Sequence, residues 1–311
     1  MGRVSAAAYH QGRFLQEQEL LAEYRHCPWC RFDGTRQRVL EIQRSPDVWL
    51  LECPRCHAVS ASRPATDAAL AAYYASYYAE SAAIRVTCGN PRHHARHICR
   101  HARALRRLAM VNLLDYGGGD GSIGHAVALE LLKAGCGRID LLVVDYNDRL
   151  IQPAHPAIAL SHASALEQVP RERNFDLVMA GAILEHLPEP ADVTRRLLQS
   201  LSPGGFFYAR TPNVVSLLRV SSRMGISYDF TFPAHFHDLG QSFWENVLPA
   251  LQMAGKEWVL VGSRPSVVET SFSDKFLRTL VSYAIKAPWW LLGKFYPFTG
   301  GWEVFIRRSV V

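Results

Sequence analysis

Val111-Asn-Leu-Leu-Asp-Tyr-Gly-Gly-Gly-Asp-Gly-Ser-Ile-Gly124 reads as a short buried strand, a tight glycine turn and the first turn of a helix. Glycines let a backbone approach a ligand where a Cβ would clash. The helix start behind them offers N–H groups with no partner inside the helix, which suit polar or anionic atoms. A second apolar strand, Arg138-Ile-Asp-Leu-Leu-Val-Val-Asp145, ends on a carboxylate. An acid at the tip of the strand after a glycine loop is placed to take the two hydroxyls of a ribose. Together the two strands imply a site for a cofactor with an adenosine-like half. Gly119-Asp-Gly-Ser-Ile-Gly124 also fits the G-x-G-x-x-G dinucleotide pattern, a short motif that by itself does not select the cofactor.

Outward from this stretch, strands near 111–116, 139–145, 157–161, 175–182 and 205–210 alternate with helices. That is the pattern of a doubly wound α/β sheet. Trp258-Val-Leu-Val-Gly262 supplies a sixth strand and Glu303-Val-Phe-Ile-Arg-Arg308 a last one. Phe175-Asp-Leu-Val178 leads into a Leu184-Glu-His-Leu187 turn, and Ser202-Pro-Gly-Gly205 turns a helix end into the next strand. Taken in order with Asp115, Gly117, Gly119, Gly121 and Asp145, these segments resemble the S-adenosylmethionine-dependent methyltransferases of the seven-stranded, Rossmann-like class I. The resemblance spans roughly residues 95–265. It implies a seven-stranded, mostly parallel sheet with helices on both faces.

The resemblance also implies roles. Gly117, Gly119 and Gly121 would cradle the amino-acid and sugar end of S-adenosyl-L-methionine, with Asp115 organising the loop. Asp145 would bind the ribose and Tyr146 cover the adenine; Ser164, Ala165 and Leu166 would meet the adenine edge, and Ala180 and Gly181 the methionine portion. Methyl transfer needs the acceptor atom held behind the methyl, water excluded and, for a hydroxyl or acidic carbon, a proton removed. His186 is the first candidate base, because imidazole titrates near neutrality. His235 and His237, in Pro233-Ala-His-Phe-His-Asp238 on a lid-like connection over 214–240, are the next, with loop hydrogen bonding as the other role open to each. Some relatives bind a divalent metal through two glutamates three apart and two histidines. Ala182 stands at the first carboxylate position here, so that site is not expected.

The N-terminal part carries different chemistry. Cys27-Pro-Trp-Cys30 and Cys53-Pro-Arg-Cys56 are separated by 22 residues. Two C-x-x-C pairs at that spacing point to four thiolates around one Zn²⁺, and four cysteines close the shell, so the metal is expected to be structural. Arg38–Gln43 and Val48–Cys53 would be the strands of a zinc ribbon, while Cys88, Cys99 and Cys136 are taken as incidental or structural.

The chain thus divides into a lead-in and ribbon (1–62), a helical connector (63–110) and the cofactor-binding domain (111–311) with a helical insertion at about 270–298. The lead-in would be helical or loose, with Phe14, Leu15, Leu20 and Leu21 as a thin apolar face. Tyr73, Tyr74, Tyr77 and Tyr78 share one face of an alanine-rich helix, read as packing between ribbon and core or else as a substrate wall. From Arg85 to Met110 no acid occurs; arginines alternate with His93, His94, His97 and His101. This is either a solvated basic face or a hold for a phosphate-bearing acceptor. The aromatic insertion around Pro288-Trp-Trp-Leu-Leu292 would dock on a dimer partner, line the acceptor site, touch a membrane surface or pack into its own core.

At 311 residues, 49% hydrophobic and 20% charged, the composition is that of a cored globular protein. No basic start followed by an apolar run is present, and no stretch of about twenty apolar residues. A soluble, cytoplasmic enzyme without a spanning segment is therefore expected. The acceptor implied is a small molecule of sugar, lipid or metabolite type, methylated on oxygen or carbon. The alternative is an RNA methyltransferase that grips RNA with the ribbon and arginines. Against it, Ala180-Gly-Ala-Ile183 replaces the base-methylating Asn/Asp-Pro-Pro-aromatic motif, and a net charge of +6 is mild for an RNA binder. A nicotinamide dehydrogenase would use the same glycines but not the Glu185-His186 and Ser202–Gly205 turns. A non-catalytic binder would not need Asp145 and the glycines intact.

Overall fold

A computed structural model of the chain describes residues 4–5, 12–79, 90–225, 228–253, 255, 257–268, 271–273 and 275–310. Cys88 and Arg85 lie outside them, as do the side chains of Tyr77 and Tyr78. Along the chain come β1 (Val4–Ser5), β2 (Gln37–Gln43), β3 (Val48–Glu52), β4 (Val59–Ala61), α1 (Asp67–Ala79) and α2 (Pro91–His101). The alternating part follows: β5 (Met110–Tyr116), α3 (Ser122–Lys133), β6 (Arg138–Val144), β7 (Ile158–Ala163), β8 (Phe175–Gly181), α4 (Pro190–Gln199) and β9 (Leu201–Asn213). Then come α5 (Val215–Arg223), β10 (Tyr228–Asp229), β11 (His237–Asp238), α6 (Gln241–Ala250), β12 (Trp258–Pro265), α7 (Phe276–Lys286), α8 (Trp289–Leu292) and β13 (Gly300–Arg308).

Seven strands pair in the order β12-β13-β9-β8-β5-β6-β7. β13 is antiparallel to both its neighbours, and the other pairs are parallel. This is the expected class I sheet. β5 sits near its middle because Val111, Leu113 and Leu114 are apolar toward both faces and wholly buried. A parallel strand covered on both faces reads as a nearly continuous apolar run. One core, with α2 and α3, lies on one face; a second, with α4 and α6, lies on the other. Strand order reverses between β5 and β8, and in open α/β sheets ligands bind outside the carboxyl ends of the strands at that point.

Helices do not separate all the strands. Between β6 and β7 the chain runs from Asp145 to Ala157 without a helix. Pro153 and Pro156 explain it: each removes an N–H donor and biases the residue before it away from helical angles. Among the described residues of the lead-in there is a 3-10 turn, Glu17–Glu19, and half of the expected apolar face is buried, through Leu15 and Leu20. Cys99 and Cys136 are buried thiols.

The ribbon strands form a four-stranded sheet, β11-β4-β3-β2. Its edge strand comes from the far side of the sequence, with His237 opposite Ser60 and Asp238 opposite Val59. The connection over 214–240 is therefore pinned at its end to the ribbon. Asp238 ties it further, since both carboxylate oxygens accept backbone N–H groups at the start of α5, from Val214 (2.7 Å) and Val215 (3.1 Å). Trp29, between the first two cysteines, packs edge-on to Phe243 of α6 at 4.6 Å. All four ribbon cysteines join the same buried core as Leu114 of β5 and Trp244 of α6.

Candidate functional site

The chain leaves β5 through three glycines with left-handed backbone: Gly117 (φ 69°), Gly119 (φ 59°) and Gly121 (φ 78°). At Gly117 space is the second constraint, because a Cβ would come within 2.5 Å of Ile183. Asp115 points under the loop and accepts the Gly124 N–H at 3.0 Å. Burial pushes its carboxyl up to about 7. Asp145, just past β6, accepts the Gly119 N–H at 2.8 Å with one oxygen and the Asn147 N–H at 2.8 Å with the other. The acid and the glycine loop thus meet across the end of two neighbouring strands. A small crevice opens beside them, lined by Asp115, Gly117 and Gly118, by Met179 and Gly181 of β8, and by His94 and Tyr208.

The remaining cofactor-side candidates are spread along the same edge. Tyr146 is 92% exposed. Ser164 accepts a hydrogen bond from the Gln168 amide at 2.8 Å, Ala165 is half-buried, and Leu166 is in the core. Ala180 is buried, while Gly181 has open space where a Cβ would stand.

The acceptor-side candidates separate into two groups. In the 3-10 turn Leu184–His186, the Nδ1 of His186 lies 2.8 Å from the Ala234 carbonyl and 3.2 Å from the Tyr74 hydroxyl. A carbonyl only accepts, so Nδ1 carries a proton, and in the neutral ring the lone pair is then on Nε2. His235 hydrogen-bonds Thr231 Oγ1 at 2.8 Å, and its ring lies 4.7 Å from that of His186. His237 behaves differently. It is fully buried, with Nδ1 2.9 Å from Ser60 Oγ and Nε2 2.8 Å from the Leu187 carbonyl. Both ring nitrogens are engaged, and burial pulls its pKa down to about 4. His237 fastens the ribbon to the core and leaves no lone pair for an acceptor.

Glu185 completes the first group. Donor atoms of Glu185, His186 and His235 lie within 4.8 Å of one another, while Ala182 offers none. Glu185 is buried, its Oε2 has no hydrogen-bond partner among the described residues, and desolvation raises its carboxyl to about 7. The folded state therefore keeps a proton that the unfolded chain gives up near pH 4. Its contribution is fully present below that pH and is lost as pH rises through 7. Glu185→Gln, which cannot ionise, is expected to raise stability at pH 8 by about 2 kcal/mol and to flatten the fall in Tm between pH 5 and 8. A wild-type and variant pair with the same slope would remove this account.

Two features were not legible in the sequence. Tyr74 was one of four tyrosines on a face, and only the approach of α1 to the Leu184–His186 turn singles it out. The His/Arg stretch is not one basic face. His94 is buried against the Tyr208 hydroxyl at 2.9 Å, and His97 reaches the buried Glu303 at 2.8 Å, where Arg264 also binds at 2.7 Å. Arg92, Arg96 and Arg100 are exposed. The helical period sorts His94 and His97 inward and these arginines outward, a separation visible in retrospect as a three- to four-residue alternation.

The four ribbon cysteines converge. Cys27 and Cys56 sulfurs are 3.6 Å apart, as are those of Cys30 and Cys53, and all four lie within 4.8 Å. A disulfide needs about 2.05 Å. A tetrahedron of Zn–S bonds of about 2.3 Å has edges near 3.8 Å, so the donor set fits zinc. Each pair sits in a matching knuckle: the N–H of Arg31 bonds Cys27 O at 3.0 Å, and that of His57 bonds Cys53 O at 2.9 Å.

Comparison with known proteins bears on this geometry. A family model described as a methyltransferase domain matches residues 60–249. No curated protein matches the chain. Among solved structures, the chain is similar to the plantazolicin methyltransferase BpumL in complex with SAH, at 15% identity and TM-score 0.45 over 71% of this chain and 86% of that one. It is also similar to the N-methyltransferase NodS of Bradyrhizobium japonicum, at 15% identity and TM-score 0.36 over 67% and 86%. A third is an S-adenosylmethionine-dependent methyltransferase of Mesorhizobium loti, at 15% identity and TM-score 0.39 over 67% and 96%. With more than half its length matched by the family model, and its seven strands in the order described above, the chain belongs to the methyltransferase-domain family and is an S-adenosylmethionine-dependent class I methyltransferase.

Proposed function

We propose that the enzyme methylates an oxygen or carbon of a small sugar-, lipid- or metabolite-type acceptor, and that His186 takes the acceptor proton. The observation that carries this is the Nδ1 bond of His186 to the Ala234 carbonyl. It fixes the tautomer with Nε2 basic, one turn from Ile183, whose side chain touches Gly117 of the cofactor loop. S-adenosylmethionine, when bound, supplies an electrophilic methyl on a sulfonium. The fit rests on the three left-handed glycines and on Asp145 beside Gly119. Gly117–Gly121 would hold its amino-acid and sugar end, Asp145 its ribose, and Ala180 and Gly181 its methionine part.

The residues of this chain then have distinct tasks. Nε2 of His186 accepts the proton as the acceptor attacks. The Tyr74 hydroxyl and the Ala234 carbonyl keep the ring from turning, and a fixed base saves orientational entropy in the transition state. His235 walls the other side of the ring. The ribbon holds β11 and the Phe232–Phe236 segment in place; Cys27, Cys30, Cys53 and Cys56 would hold zinc there, a structural role in which four thiolates would leave the metal no position for chemistry.

The test uses methyl-labelled S-adenosylmethionine and an extract of the producing cells separated into RNA, protein and small-molecule fractions. Label is expected in the small-molecule fraction. His186→Gln is expected to cut transfer by a factor of about 10² to 10⁴ with SAH affinity unchanged. Label entering RNA, or full transfer by the variant, would overturn the proposal.

A further inference from the structure

α7 is turned inside out. Its buried positions are Thr279, whose hydroxyl donates to the Lys275 carbonyl at 2.8 Å, and Lys286, whose ammonium donates to the Ser266 carbonyl. Its exposed positions include Phe276, Leu277 (71%), Leu280, Val281 and Ile285. A surface helix ordinarily shows the reverse pattern. The following turn continues the exposure through Trp290, Leu291 (90%), Leu292 and Phe295 (82%). Apolar side chains on this scale mark a surface that something covers.

Charge and position say what covers it. From Lys275 to Trp302 the sequence contains Lys275, Arg278, Lys286 and Lys294 and no Asp or Glu. β12 runs parallel to the central strands and ends at Pro265; β13 starts at Gly300, opposite Asn213 at the end of β9. The insertion therefore leaves and re-enters the sheet at its carboxyl edge, the edge that carries the glycine loop. α5 starts from the same edge, with Leu217 against Gly300, and exposes Val220 and Met224 beside Arg219 and Arg223.

We propose that this face docks on an anionic lipid surface, with the aromatic and leucine side chains among the acyl-chain ends and the cations at the headgroups. Tryptophan and phenylalanine on an apolar face ringed by Lys and Arg is the composition that lies in such an interface. A second copy of the chain is the poorer occupant. A two-fold interface would bring Lys275, Arg278 and Lys294 toward their own mates, with Asp274 the one carboxylate of the 270–298 insertion to offset them. The docking is peripheral, since no helix among the described residues is long and apolar enough to cross a membrane. Docked this way, the carboxyl edge of the sheet, where methyl transfer takes place, faces the lipid.

The full-length protein is floated with vesicles of phosphatidylcholine alone and of phosphatidylcholine mixed with phosphatidylglycerol. It is expected to float with the anionic vesicles and less so at high salt. The triple variant Leu277→Ser, Leu291→Ser, Phe295→Ser is expected to stay at the bottom while binding SAH as the wild type does. Lys275→Glu with Lys294→Glu, which leaves the apolar residues intact, is expected to weaken binding to anionic vesicles by about tenfold or more. Wild type that ignores both vesicle types would overturn the proposal. So would an apolar variant that turns a sedimenting dimer into a monomer without changing vesicle binding. Each readout stands apart from the identity of the methyl acceptor.

Discussion

If the four cysteines hold zinc as their geometry fits, Cys53→Ser is expected to lose the metal, lower Tm by about 10 °C and destabilise the protein by on the order of 5 kcal/mol. The segment from Cys27 to Cys56 buries Trp29, Val48, Leu50 and Leu51, but the two Cys-x-x-Cys turns have only their four sulfurs to hold them together. Four sulfurs within 4.8 Å of one another in a buried cluster suit a divalent cation, which would hold them as thiolates. Losing one ligand frees both knuckles. The effect does not stay local, because Trp29 lies inside the first knuckle and packs on Phe243, and β4 pairs with β11. Through β11, loosening of the ribbon reaches the Phe236 N–H, which bonds the Glu185 carbonyl at 2.7 Å. Metal analysis of the purified protein and calorimetry with and without a strong chelator check this. Protein that carries no zinc and melts unchanged would rule the metal out.

Asp145→Ala should weaken S-adenosylmethionine binding by about 10² to 10³-fold, or roughly 3–4 kcal/mol. Two interactions go at once. On the proposed reading a charged acceptor for the ribose hydroxyls is removed, and hydrogen bonds to charged groups are worth about 1.5–3 kcal/mol each. The Gly119 N–H also loses the oxygen that holds it at 2.8 Å, so the loop has to be ordered by the cofactor itself. Asp145→Asn keeps one carbonyl acceptor and is expected to lose less. Calorimetric titration with S-adenosylmethionine, using NADH as the control ligand, reads both. An Ala variant that binds as tightly as wild type would take the ribose role away from Asp145.

Histidine shows how far composition can be read. His235 and His237 share one short motif, Pro233-Ala-His-Phe-His-Asp238, while His186 stands in Leu184-Glu-His-Leu187, and nothing local says which ring nitrogens find partners. In the fold, His186 sets Nδ1 against the Ala234 carbonyl, whereas His237 spends both nitrogens on Ser60 and Leu187. The difference comes from where β4 and the Leu184–His186 turn lie, which are partners far away in sequence. Tyr74 is a similar case, 112 positions from His186 and within 3.2 Å of it.

Local chemistry alone determined the glycine turn, the acid at the end of β6, the two cysteine knuckles and the alternation of buried strands. Each depends on backbone angles, side-chain period or ligand spacing over a few residues, and such short-range constraints are written in consecutive positions. Tertiary structure decided which histidine meets the Ala234 carbonyl and which bridges Ser60 and Leu187, that the ribbon borrows a strand from residues 237–238, and that Arg92, Arg96 and Arg100 face outward while His94 and His97 serve the core. It also decided that α7 buries a lysine and exposes its leucines. Those outcomes depend on which distant surfaces meet and which polar groups find a partner there, and burial makes an unpartnered polar group costly enough to dictate the arrangement.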